Sequence, residues 1–208
     1  MMSRPKQLVS GIGVALVMLL AVNNCPNAQE TSSSLTEEVK WLKENLKKNT
    51  RIVTTLTKTS NDLKVIAAER GFETVEVSGC RLVLRLKKVL TEADPEKRVT
   101  ETYTTYSVPL EAIDLSQIEA STQNHVSSQT WRVSGSLESY VITLQVNDGL
   151  RKISGRTRRV VTLNGEQVSF PEEVGHYRDL EIAFNDREIR DKALRAFRNV
   201  VSICGGQD

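Results

Sequence analysis

Residues 77–89 read VSGCRLVLRLKKV. Past the glycine the stretch alternates, with Cys80, Leu82, Leu84 and Leu86 on one side and Arg81, Val83, Arg85 and Lys87 on the other. Successive side chains of an extended chain point to opposite faces. A period of two with one apolar side therefore predicts a half-buried strand of an antiparallel sheet. The neighbouring stretches keep that period.

Downstream, TEADPEK (91–97) predicts a turn, and RVTETYTTYSVPL (98–110) a second strand with Tyr106, Val108 and Leu110 on one face. Pro109 has no amide proton for a ladder, so it suits a strand end or an edge. A connection and a short strand follow in EAIDLSQIEAS (111–121), then a polar loop in TQNHVSSQ (122–129). TWRVSGSLESYVITLQV (130–146) holds one broken strand or two, bending at Gly135. Asp148-Gly149 and Asn164-Gly165 are hairpin signals, because both central residues of a tight hairpin turn need positive φ. They separate strand-like runs at 140–146, 151–163 and 166–170, and DLEIAF (179–184) adds a final strand.

Helical spacing appears at both ends. Ser34 and Glu37 form a capping box ahead of Leu35, Val39, Leu42 and Leu46, which make one apolar stripe with Trp41 beside it. Near the C-terminal end, Asn185 and Glu188 form a second capping box. Ile189, Ala193, Phe197, Val200 and Cys204 then make the buried face, Arg187, Arg190, Asp191, Arg195 and Arg198 the wet one, and Gly205 the stop. Between the first helix and Phe72, RIVTTLTKTS (51–60) is strand-like, while NDLKVIAAER (61–70) suits two helical turns.

The first residues carry Arg4 and Lys6, then an apolar run from Leu8 to Val22, then small and polar residues as far as Ala28. That order is a secretory signal peptide, and its apolar run is short of the roughly 20 residues of a comfortable membrane span. Cys25 follows Val22-Asn23-Asn24, which does not resemble a lipobox, so lipid attachment is not expected. The expected organisation is a signal peptide at 1–28, a linker and N-terminal helical region at 29–70, and one domain at 71–208. The leader holds two of the 28 basic residues and no acidic one, so the remainder balances its 26 acidic residues. A nucleic-acid binder needs a basic surplus to neutralise phosphates, and that class is set aside.

Cleavage also leaves two cysteines, Cys80 and Cys204. In an oxidising compartment such a pair predicts a disulfide. Both are expected to face the layer between the sheet and the last helix, which the bond would pin to the strand carrying Cys80. The fold class expected is α+β: a mostly antiparallel pleckstrin-homology-like barrel, or a curved sheet, of roughly seven strands with the C-terminal helix packed on it and an N-terminal amphipathic helix. The strand count also permits a two-sheet sandwich.

Four stretches, VKWLKENL (39–46), VSGCRLVLR (77–85), YSVPLEAIDLSQI (106–118) and DKALRAFRNVVSICGG (191–206), resemble landmarks of a group of uncharacterised exported bacterial proteins. In that group a short helix precedes a Gly-Cys strand, a Val-Pro-Leu element and a helix ending in Cys-Gly-Gly. EAIDLSQI lacks the Asp-Pro expected in its middle. The resemblance implies a pleckstrin-homology-like domain with no known activity, and no lipid-site residue is carried over from it.

Chemistry-bearing residues are scattered. His125 and His176 lie in polar sequence without the His-x-x-x-His or Cys-x-x-Cys spacing of a metal site, and they read as surface residues. A cysteine nucleophile with a histidine base is conceivable, but nucleophilic thiols need exposed electropositive surroundings, and a structural disulfide is preferred. Glu172, Glu173 and Asp94 read as solvated charges. No phosphate-binding glycine loop or serine-nucleophile motif occurs. Arg151, Lys152, Arg156, Arg158 and Arg159 form the one basic cluster, a candidate for anionic ligands, although a strand would send Arg156 and Arg158 to one face and Arg159 to the other. The expectation is an exported, periplasmic or extracellular, non-catalytic module without cofactor or metal that binds a protein, peptide or envelope component. The alternative is an envelope hydrolase or redox enzyme whose site is assembled from distant residues.

Overall fold

The computed structural model describes residues 26–58, 65–93, 97–124, 131–147 and 152–206. Helix α1 (Pro26–Asn49) leads into β1 (Ile52–Lys58), β2 (Val65–Ser78), β3 (Arg81–Ala93) and β4 (Lys97–Pro109). Two 3-10 turns (Leu110–Ala112 and Leu115–Gln117) precede β5 (Glu119–Asn124), β6 (Trp131–Gly135) and β7 (Glu138–Gln145). After them come β8 (Ile153–Leu163), β9 (Glu166–Ser169), β10 (Glu173–Tyr177), β11 (Asp179–Phe184) and α2 (Arg187–Ile203).

The protein is α+β with antiparallel sheets. The large sheet has the order β10-β8-β4-β3-β2-β1-β6, with β9 also paired to β8, and the small sheet has the order β11-β7-β5. Of the two forms expected, a barrel or a curved sheet, the barrel is not closed. β5, β7 and β11 pair with one another instead of bridging β6 to β10, so both ends of the large sheet stay open.

One face of the small sheet, with Ile142, Leu144, Ile182 and Phe184, shares a core with Phe197 and Val200 of α2 and Leu42 and Leu46 of α1. Leu82, Leu84 and Val108 of the large sheet belong to the same core. The opposite face of the small sheet, through Val141 and Ala183, meets Ile52 of β1. Burying a leucine or phenylalanine of this kind is worth about 1.5–3 kcal/mol.

Several local expectations are met by the backbone. Gly135 bends the chain between β6 and β7 at φ +92°, and Asn164 and Gly165 turn the β8–β9 hairpin at φ 50° and 88°. Pro109 ends β4. The Asp148-Gly149 signal lies outside the described residues.

Others are corrected. Residues 65–70 are strand, not helix: Ile66 and Ala68 stand opposite Leu56 and Thr54 of β1 and opposite Glu92 and Leu90 of β3, and the two ladders override the helix-favouring alanines. Residues 30–34 belong to α1, because ETSSS contains no breaker and Pro26 suits a first helical turn. In α2 the cap is Asp186, whose side chain accepts the Ile189 amide proton at 2.9 Å, so the Asn185 capping box does not form. Arg190, expected in water, is 6% exposed. It donates to Asp191 at 2.6 Å and to the Ser121 carbonyl of β5 at 3.0 Å.

Cys80 is not on the leucine face of a strand. It occupies the two-residue β2–β3 turn with Gly79, whose φ of +56° makes the turn possible, and it is exposed. Cys204 is the C-cap of α2 and half-buried. The two Cα atoms are 5.4 Å apart, a disulfide-bonding separation. Accordingly α2 does not lie across β3. It packs on the small sheet and α1, and its C-terminal end meets the turn.

Candidate functional site

Strand β3 shows how the candidate site arises. Along its inner face Leu82 and Leu84 are buried, Leu86 is half-buried and Leu90 is 37% exposed. β2, β3 and β4 have 13 or 14 residues, whereas β5, β7 and β11 have six to eight. At about 3.3–3.4 Å per residue the long strands run roughly 45 Å and the covering strands only about 20–27 Å. Among the described residues about half of the inner face is therefore left without a layer over it.

That half holds a hollow of about 760 Å³. Its floor is read from the register, since residues directly opposite on antiparallel strands share a face. One cross-strand row is Thr54, Ala68, Leu90, Thr100 and Val161. Farther out, Leu56 stands opposite Ile66 on one side and Val133 of β6 on the other. The row bordering the covered core is Ile52, Arg70, Lys88, Thr102 and Arg159. A floor of aliphatic side chains and two threonines thus ends on a row with three cations.

The three cations differ in surroundings. Arg70 is half-buried, and loss of water lowers its pKa, an effect that Glu181 of β11 partly offsets. A second cavity of about 200 Å³ on the core side of the row is lined by Arg70, Lys88, Asp179 and Glu181. Its back is formed by Tyr106 and Tyr177, packed edge to face with ring centroids 5.7 Å apart. Gly155 makes room for this pair: a Cβ there would stand 2.6 Å from the Tyr177 ring. Lys88 and Arg159 are exposed, and no ion pair with a described residue engages either one.

The basic cluster read from sequence is divided by the sheet. Arg156 and Arg158 stand opposite Thr105 and Tyr103 on the outer face. There Arg85 and Lys87 flank the Tyr103 ring at 5.2 Å each. Carboxylates balance them: Glu73 lies 3.4 Å from Arg85, and Glu101 lies 2.9 Å from Lys87, whose pKa that hydrogen bond raises. Lys152 is exposed just ahead of β8, and Arg151 lies outside the described residues. Of the four described candidates, Arg159 alone lines the hollow.

Arg70 and Lys88 were not singled out by sequence reasoning. A signal existed for Lys88, which continues the period-two phase of Leu82, Leu84 and Leu86 and so places a cation on the apolar side. For Arg70 the signal was hidden by the helical reading of its segment.

The remaining candidates do not converge. His176 stands opposite Ser154 on the outer face, is exposed, and lines none of the three cavities. Glu172 and Glu173 are exposed, and His125 and Asp94 lie outside the described residues. The third cavity, about 350 Å³ beside the end of α1, is crossed by the Arg51–Glu69 ion pair at 2.7 Å. Among the described residues no group of three or more His, Cys, Asp or Glu side chains could hold a metal ion, and no helix is long and apolar enough to cross a membrane. No protein-family model, no curated protein and no solved structure matches the chain.

Proposed function

We propose that the protein is an exported, non-catalytic binding module of the pleckstrin-homology-like kind that holds its ligand in the hollow on the inner face of the large sheet. The observation that carries this reading is the hollow itself: about 760 Å³ over Ala68, Leu90, Leu56 and Val133, with Thr54 and Thr100 in the floor, Glu69 and Asn124 in the lining and three cations along one border. Ligand seats are concave, largely apolar and about 300–1,000 Å³ in volume, with a small number of placed polar side chains. The antiparallel strand run followed by a helix supports the likeness to pleckstrin-homology domains, although the sheets remain open. The leader sequence and the cysteine pair support export.

The test uses the uncharged fluorescent probe N-phenyl-1-naphthylamine. Saturable enhancement with the purified protein is expected. Ala68→Trp, which fills the floor of the hollow, should abolish it while far-UV circular dichroism is unchanged. No enhancement, or full enhancement in a folded Ala68→Trp variant, would refute the seat.

A further inference from the structure

We infer that the hollow takes a single-chain aliphatic carboxylate, with its head between Lys88 and Arg159 and its chain over Leu90, Ala68 and Leu56. This rests on reading the hollow as the ligand seat and adds the chemical class of the ligand.

Three observations lead there. The first is the placement of charge. Lys88 and Arg159 both stand opposite Thr102, one on each side, so their backbones are roughly 10 Å apart at about 4.8 Å per strand. Long side chains from those positions reach one point above Thr102. The guanidinium presents a planar fork that matches a carboxylate, and the ammonium adds further donors.

The second is that neither cation makes an ion pair with a described residue, and Glu69, the carboxylate in the lining of the hollow, is already paired with Arg51 at 2.7 Å. Arg70, next in the row, faces Glu181, and Asp179 lines the same smaller cavity. Both are exposed, so an anion seated over the apolar floor replaces water at them and meets no competing carboxylate pair. Arg158, one residue before Arg159, points the other way, to a face where carboxylates accompany the cations.

The third is size. A methylene takes up about as much space as a water molecule in the liquid, about 30 Å³. A chain of 12 to 16 carbons then needs roughly 400–500 Å³, within the 760 Å³ of the hollow. A two-chain phospholipid with about twice the carbons exceeds it. The volume matches one chain with its head, and the occupant assigned is a free, single-chain acid.

The test is displacement of N-phenyl-1-naphthylamine from the purified full chain by laurate and by 1-dodecanol, which share a chain length and differ in the head. Laurate is expected to bind at least tenfold more tightly. Lys88→Gln and Arg159→Gln should each weaken laurate about tenfold and leave dodecanol unchanged, since a charge-assisted hydrogen bond is lost and the floor is not. Dodecanol binding also reports that these variants are folded. Lys88→Arg should retain laurate affinity, and Arg158→Gln on the outer face should not alter it. Probe binding with laurate no tighter than dodecanol overturns the carboxylate and leaves the seat standing. Failure of all three to bind overturns both. Sedimentation with anionic phospholipid vesicles that laurate does not compete away would overturn the free acid in favour of a bilayer surface.

Discussion

Replacing Cys204 by serine opens the longest covalent loop in the described chain, and the loop length sets the expected loss. The two cysteines are 124 residues apart. In the chain-entropy account, closing a loop of that size lowers the entropy of the unfolded chain by an amount worth about 5 kcal/mol at 25 °C. Unfolding entropy near the midpoint is about 2.1 cal/mol/K per residue, or roughly 0.4 kcal/mol/K for 208 residues. Cys204→Ser should therefore lower the melting temperature by about 12 °C. Differential scanning calorimetry of the oxidised protein, the protein in dithiothreitol, Cys80→Ser and Cys204→Ser gives four melts. The last three should agree within error, because each removes the same crosslink, and the double variant should lose nothing more. Non-reducing peptide mapping should find one linked pair. A melt of the reduced protein within about 3 °C of the oxidised one would refute the reasoning, since a staple between the β2–β3 turn and the end of α2 could not then be restricting the unfolded chain.

Three further outcomes are expected. Arg190→Ala leaves the Ser121 carbonyl without its donor and should cost about 1.5–3 kcal/mol by urea titration, whereas Arg195→Ala at an exposed site of the same helix should cost under about 0.5 kcal/mol. Gly165→Ala, at φ +88° in open space, should cost about 1–2 kcal/mol. Gly135→Ala should cost clearly more, because its Cβ would also stand 2.5 Å from the Val53 carbonyl oxygen, and equal losses would show that the β6 bend relaxes freely. Burial, and secondarily Tyr177, raises the Tyr106 pKa, so above about pH 10 the unfolded chain loses that proton first. Bound protons are then fewer in the unfolded state, and stability falls as pH rises from there. Tyr106→Phe should remove that part of the slope in urea midpoints measured between about pH 9 and 11.

How far the fold was legible follows from how local each signal is. The alternation of Leu82, Leu84 and Leu86, the Asn164-Gly165 turn and the Phe197–Val200 face are set by neighbours in sequence, and each appears where expected. Sheet closure is not local. Whether β5, β7 and β11 join the large sheet or pair among themselves is decided by partners far along the chain. The Ile66–Arg70 segment shows the same limit, because alanines that favour a helix in isolation are held extended by β1 and β3. For the hollow, Lys88 was readable as a break in an apolar phase. That Arg70 and Arg159 come level with it depends on the register of four strands, which residue spacing alone does not encode.

The meeting of α1 and α2 in one core has a kinetic consequence. Leu42 and Leu46 come before every strand, and Phe197 and Val200 come after all of them, yet they share the same interior. Asn49 accepts a backbone hydrogen bond from Asn185 at 3.0 Å, which ties the end of the first helix to the entrance of the second. Hairpins such as β2–β3 can form as they emerge, but the core over Ile142 and Ile182 lacks Phe197 and Val200 until α2 arrives. Contacts of such long sequence separation make folding slow and place its committing step late. The interior of a polypeptide built this way is complete only once α2 has been synthesised.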